Sequence, residues 1–237
     1  MNKKLKCMVA AVFVLVFSAS HAGMFSHHLS DKDAAGIHHI AVVSLVGDKL
    51  HLDKIGLTAF NNAAQEIPVP QWTMDSLITL NAIKEIEAGG RFAADRLHLE
   101  AGEVSVADDG TMSKADRRLL IERARAQGAD TLLMVAATQN QNDRSLSPGY
   151  GLYDRTLFGH DGVFLLASVR LAVIRVDDDT VLAQSLPDPL LLTSHPWPNP
   201  STWQEMSTDQ QADLEKTIKD HVIGQISKAI VVLRLSQ

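Results

Sequence analysis

The sequence predicts an α/β protein in which a mixed β-sheet is flanked by helices, with an N-terminal β-hairpin and a long C-terminal helix. Residues 40–46 (IAVVSLV) are apolar almost throughout, which is typical of a central strand buried on both faces. A charged helical pattern over 114–127 leads through Gly128 into a second apolar strand at 129–138. Residues 207–235 carry an apolar stripe at helical spacing, which predicts the C-terminal helix.

The N-terminus has the pattern of a secretory signal peptide over residues 1–22. Three lysines precede an apolar run at 7–17, and Ser20 and Ala22 place small side chains where signal peptidase needs them. The run is too short to cross a bilayer comfortably. We therefore expect a periplasmic or secreted protein without stable membrane insertion. Cys7 is the only cysteine and precedes the apolar run, which argues against a lipid anchor and leaves the mature chain without disulfides.

The rest of the chain is predicted to consist of a mobile segment, residues 23–36, and one mixed α/β domain, residues 37–237. Loss of the three signal-peptide lysines takes the net charge from −6 to −9. A chain this acidic disfavours nucleic acid and anionic lipid as partners.

A two-residue turn at 47–48 is predicted to join the first strand to a half-buried return strand. In that hairpin Ser44 would lie opposite His51, with Asp53 on the same side. A serine, a histidine and a carboxylate on one face raise the hypothesis of a hydrolase. The sequence has no G-x-S-x-G motif, and a flat strand offers no ready oxyanion hole. A polar cross-strand pair is therefore favoured over catalysis.

The elements that follow are predicted from local patterns. Residues 73–88 form a helix that ends at a Gly-Gly pair, and residues 97–106 alternate like a strand. That strand, the helix at 114–127 and the second apolar strand predict a parallel pair joined by a right-handed crossover. Residues 163–186 are predicted to form two antiparallel strands that turn at 177–179.

Two stretches, 139–162 and 187–203, match no regular element. Long irregular connections within a domain are uncommon and often functional. Exposed aromatic side chains on such loops are good contact surfaces for another protein. An alternative is that these rings only hold the loops in place. The predicted partner-binding residues are Tyr150, Tyr153, Phe158, Trp197 and Trp203.

Histidines occur as two pairs in the stretch SHHLSDKDAAGIHHI, residues 26–40. His27 and His28 lie near the predicted mature N-terminus, where neighbouring imidazoles can hold zinc or copper weakly. His38 and His39 enter a strand and are expected to point to opposite faces, so they do not form a metal-binding pair. A metal site is therefore predicted only at His27 and His28, as an alternative hypothesis, and no other cofactor is expected.

The segments RAQGADTLLMV (125–135) and SVRLAVIRVDDDTVLAQS (168–185) together resemble a pattern in periplasmic proteins of the curli-secretion lipoprotein and penicillin-binding-protein-activator type. The resemblance implies a mixed α/β domain that binds proteins or assists assembly, and it carries over no catalytic residue. The lipidated cysteine of that group is missing. The leading hypothesis is a soluble periplasmic accessory domain, without catalytic activity, that binds another envelope protein. A metal-binding protein is the alternative, and a hydrolase is the third hypothesis.

Overall fold

A mixed nine-stranded β-sheet organises the described part of the chain in this computed structural model. The structure describes residues 27–56, 62–100, 102–107, 111–139, 146–155, 162–187, 190–192 and 203–236. The predicted signal peptide lies outside these residues, as do Phe158 and Trp197. The predicted α/β class, with helices beside the sheet and a long C-terminal helix, is confirmed.

The described residues form nine strands and four α-helices. The strands are β1 His39–Leu45, β2 Lys49–Ile55, β3 Ala63–Pro68, β4 Ala93–Arg96, β5 Thr131–Ala137, β6 Gly149–Arg155, β7 Gly162–Arg175, β8 Val181–Ser185 and β9 Leu190–Leu192. The helices are α1 Asp31–Ala34, α2 Met74–Ala88, α3 Lys114–Ala126 and α4 Thr208–Val232. None of these helices combines the length and apolar character that a bilayer-spanning helix needs.

Strand β7 is 14 residues long and links two halves of the sheet. Its residues 169–175 pair with β5, and its residues 162–168 pair with β6. β1 lies parallel to β5, and β2 lies parallel to β6. The two halves therefore meet along a line where residues 46–48 separate β1 from β2 and residues 138–148 separate β5 from β6. We call this line the seam.

The predicted hairpin between β1 and β2 is wrong. β1 pairs with β4 and β5, whereas β2 pairs with β3 and β6. β5 and β6 both run antiparallel to β7, so β2 continues in the direction of β1. Gly47 has a φ of 82°, a conformation that a hairpin turn would also use. Here it forms an irregularity between β1 and β2, and the chain keeps its direction through it. The N-terminal β-hairpin is formed instead by β2 and β3.

Helices cover both faces of the sheet. α2 and α4 pack over one face, and the predicted apolar stripe of α4 is confirmed because its residues are all buried: Leu214, Ile218, His221, Val222, Ile226, Ala229, Ile230 and Leu233. α3 buries Leu120, Ile121 and Ala124 on the opposite face, against β1 and β5. The side chain of Ser113 caps α3 by accepting from the N–H of Asp116, as a capping residue does.

One predicted strand differs from the observed one. The strand expected over 97–106 is short and lies earlier, as β4, and the chain leaves the sheet after it. α3 joins β4 to β5, and the two strands are parallel but have β1 between them. The antiparallel pair predicted over 163–186 is confirmed as β7 and β8.

Residues 27–36 pack against the domain, in contrast to the predicted mobile segment. Leu29 is 1% exposed, and its N–H donates to the carbonyl of Leu233 at 3.4 Å. His27 exchanges two main-chain hydrogen bonds with Gln184 of β8, each 3.0 Å long. Asp33 of α1 pairs with Arg175 at 2.8 Å. These contacts tie the start of the described chain to the far edge of the sheet and to the end of α4.

Candidate functional site

A cleft of about 510 Å³ opens at the seam. It lies at the carboxyl ends of the parallel strands β4, β1 and β5, which is where ligands bind in open α/β sheets. Its floor is the interval between β1 and β2, and its walls are the start of α2 and the chain that follows β4. The volume falls within the roughly 300–1,000 Å³ of ligand pockets.

Asp75, in the first turn of α2, fixes the floor of the cleft. Its Oδ1 accepts from the Ser44 hydroxyl at 2.6 Å and from the Val46 N–H at 2.8 Å. The Gly47 N–H approaches both carboxylate oxygens, at 3.3 and 3.2 Å. The carboxylate therefore takes the place of a strand at this edge of the sheet, because it satisfies two main-chain donors that have no strand beside them.

Burial raises the pKa of the Asp75 carboxyl above its ordinary value, and the hydrogen bonds from Ser44, Val46 and Gly47 oppose that effect without cancelling it. The nearby Asp48 carboxylate raises the pKa of Asp75 further. The ionised carboxylate loses hydration on burial, and the hydrogen bonds from its three donors make up for part of that loss.

Gly47 is held from the other side by Tyr150 of β6. The Tyr150 hydroxyl donates to the Gly47 carbonyl at 3.2 Å. Burial raises the pKa of Tyr150 well above its ordinary value, and the Asp48 and Asp75 charges act in the same direction, so this hydroxyl keeps its proton. The main chain of Gly47 is therefore hydrogen-bonded on both sides, through its N–H to Asp75 of α2 and through its C=O to Tyr150 of β6.

Two of the aromatic residues predicted to contact a partner, Tyr150 and Tyr153, lie in the interior of the structure. Tyr150 is 0% exposed and stacks on Trp72, with ring centroids 6.0 Å apart. Trp203 packs edge-on against Trp72, with ring centroids 6.2 Å apart. Tyr153 is 1% exposed and packs near Phe164, at 6.3 Å.

The prediction that loops expose Tyr150 and Tyr153 is wrong because both residues lie in β6, where the rings fill opposite faces of a covered sheet. Trp203 is half-buried. Phe158 and Trp197 lie outside the described residues. Partner binding by these two residues and by Trp203 stays a prediction.

The rim of the cleft is acidic. Lys49 is paired with Glu66 at 2.7 Å, and Arg96 Nη1 donates to the Ser76 hydroxyl at 3.3 Å. Asp48 and Glu100 also line the cleft and are exposed. Acidic side chains therefore exceed basic ones around the opening, and a cationic group on a ligand is favoured there.

The serine, histidine and carboxylate of the hydrolase hypothesis do not form a triad. Ser44 donates its hydroxyl proton to Asp75, so that proton is not shared with a histidine. His51 pairs with Gly151 and Glu66 of the neighbouring strands rather than with Ser44. Asp53 is 2% exposed, and its Oδ2 accepts from the Ser147 N–H at 3.1 Å. The predicted geometry required the β1–β2 hairpin, which does not exist.

The two histidine pairs lie apart in the fold. His27 and His28 are exposed beside β8, whereas His39 contacts Asp95 and the carbonyl of Gly128, both at 3.3 Å. Within the described ranges, no group of three or more His, Cys, Asp or Glu side chains is arranged to hold a metal ion. Metal binding at His27 and His28 stays a prediction.

Asp75 and Trp72 were not found from the sequence. An acidic residue in the first turn of a helix is expected from the helix dipole alone, so its presence gave no sign of a bond to residues 44–47. Trp72 follows a Pro-Val-Pro stretch that reads as a loop.

No protein-family model matches the sequence, and no curated protein matches it. Among solved structures, the fold is similar to the PelC dodecamer from Paraburkholderia phytofirmans, at 12% identity and a TM-score of 0.40, over 88% of this chain and 94% of that one. Protein XCC0632 from Xanthomonas campestris, of family-model DUF330, is 9% identical with a TM-score of 0.41, over 83% and 84%. The protein CT253 from Chlamydia trachomatis is 12% identical with a TM-score of 0.35, over 80% and 98%. The resemblance to curli-secretion lipoproteins and penicillin-binding-protein activators stays a prediction.

Proposed function

We propose that this protein is a soluble periplasmic accessory domain that binds another envelope protein, without catalytic activity, and that the seam cleft is its contact surface. The observation that carries the proposal is the state of the polar groups at the cleft floor. Ser44 and Asp75, which could act as nucleophile and base, are hydrogen-bonded to each other, and Asp75 also holds two main-chain N–H groups. These groups shape a surface and leave little chemistry available.

The signal-peptide pattern of residues 1–22 and the acidic composition support the compartment and the class of partner. A cleft with both apolar and polar lining residues and an acidic rim suits a protein segment better than a nucleic acid, whose phosphates the rim would repel.

Site-specific photocrosslinking in intact cells tests the proposal. A photoreactive amino acid at Ala107, an exposed position on the cleft wall, is expected to give a discrete protein adduct. The matched control is the same amino acid at Leu80, which is 59% exposed on α2 and away from the cleft. Mass spectrometry identifies the adduct and also gives the N-terminus of the mature chain. Equal labelling from both positions, or none from Ala107, would contradict the proposal.

A further inference from the structure

The edge of the sheet is interrupted at the cleft. β4 accompanies β1 only as far as Val42, whose carbonyl accepts from the Leu97 N–H at 2.8 Å. β3 accompanies β2 from Lys49 onward, and the Val69 N–H donates to the Asp48 carbonyl at 2.7 Å. Among the residues that the structure describes, no strand therefore lies beside residues 43–47 on this side, although β5 continues on the other side as far as Leu45.

Ser44 is the residue whose main chain this gap leaves open. In a parallel ladder the N–H and C=O of one residue point to the same side, and successive residues alternate. His39 O accepts on the β5 side and Val42 O accepts on the β4 side, so the main chain of Ser44 points toward the gap. Within the described residues its N–H and C=O have no hydrogen-bond partner there. The next two donors, at Val46 and Gly47, are already satisfied by Asp75.

One open donor beside one open acceptor on a strand edge is the pattern that another extended peptide completes. A peptide laid along the gap accepts from the Ser44 N–H and donates to the Ser44 C=O, as in strand addition at other sheet edges. The apolar side chains of Leu99 and Val104, which line the cleft and are half-buried, can contact its side chains. Asp48 and Glu100 at the opening favour a lysine or arginine on it.

We propose that the seam cleft binds an extended, basic segment of the partner protein by strand addition at Ser44. This proposal rests on the proposed function and specifies how the same cleft recognises its partner. The main-chain bonds supply a register that is independent of sequence, and the acidic rim supplies the preference for charge.

Three short peptides with blocked ends test the proposal against isotope-labelled mature protein in an NMR titration. The first is Lys-Val-Lys-Val-Lys, the second is the same peptide with the main-chain nitrogen of all five residues methylated, and the third is Glu-Val-Glu-Val-Glu. We expect saturable binding of the first peptide, slowed hydrogen exchange of the Ser44 amide, and affinities about tenfold lower for the other two. The N-methylated peptide keeps the charge but lacks the N–H groups that strand addition uses.

Asp48→Lys is expected to weaken binding of the basic peptide several-fold. Glu87→Lys makes the same charge change at an exposed position at the far end of α2 and serves as the control. Equal affinity of the N-methylated peptide, an unaffected Ser44 amide, or no saturable binding of the basic peptide would overturn strand addition. If Ala107 still crosslinks a protein partner in that case, the proposed function stands and only this mode of recognition fails.

Discussion

Replacing Asp75 is the most direct test of how the seam is held together. Asp75→Ala removes the acceptor for the Ser44 hydroxyl and for the N–H groups of Val46 and Gly47. A buried donor left without a partner costs roughly 1–3 kcal/mol. Because the cleft is open to solvent, water can replace part of the lost acceptor. We therefore expect a loss of about 2–4 kcal/mol in the free energy of unfolding, well below the sum for three orphaned donors.

The matched control is Asp209→Ala. Asp209 occupies the same position in the first turn of α4 but is exposed. Its replacement removes only the favourable interaction with the helix dipole, roughly 0.3–1 kcal/mol. Urea denaturation followed by circular dichroism measures both variants. If Asp75→Ala cost no more than Asp209→Ala, the carboxylate would not hold the seam.

Asp75→Asn adds a test by pH. The folded-state pKa of Asp75 lies above the ordinary value of 3.8, so the unfolded chain ionises first as the pH rises. The folded protein then binds more protons than the unfolded chain, and its stability falls with rising pH over that window. Asparagine does not titrate. The stability advantage of the wild type over Asp75→Asn should therefore shrink as the pH rises above 3.8, and an advantage that grew instead would refute the assigned direction.

Four further variants test other contacts of the fold. Tyr150→Phe should keep the fold and lose about 0.5–1.5 kcal/mol of stability, measured by urea denaturation, because only the bond to Gly47 is removed. Gly151→Ala should prevent folding, seen as loss of near-ultraviolet circular dichroism, since its Cβ would lie 1.9 Å from a neighbouring carbonyl oxygen; Gly47→Ala, with open space around it, should fold and cost only about 1–2 kcal/mol. Truncation after Gly224 should abolish cooperative melting because it removes the buried final turns of α4; a truncated chain that melts near the parent temperature would contradict this.

The helices and the central strands were predictable because their signals are local. α2, α3 and α4 each show apolar residues at helical spacing with a stop or cap beside them, and β1 and β5 are short runs of apolar residues. Such patterns depend only on neighbours within a few residues, so they can be recognised without knowing how distant parts of the chain pack. The same is true of the antiparallel pair β7 and β8, whose connection is short.

Strand partners and the cleft were decided only by tertiary structure. Gly47 and Asp48 suit a hairpin turn as well as a strand irregularity, and nothing within the segment chooses between them. The choice depends on Asp75 and Tyr150, which are 28 and 103 residues away from Gly47 in the sequence. The burial of Tyr150 likewise follows from Trp72 packing against it. By itself the sequence determined the helices α2, α3 and α4 and the strands β1, β5, β7 and β8, because hydrophobic periodicity is a property of each segment. Which edge stays open at Ser44 is a property of how distant segments pack.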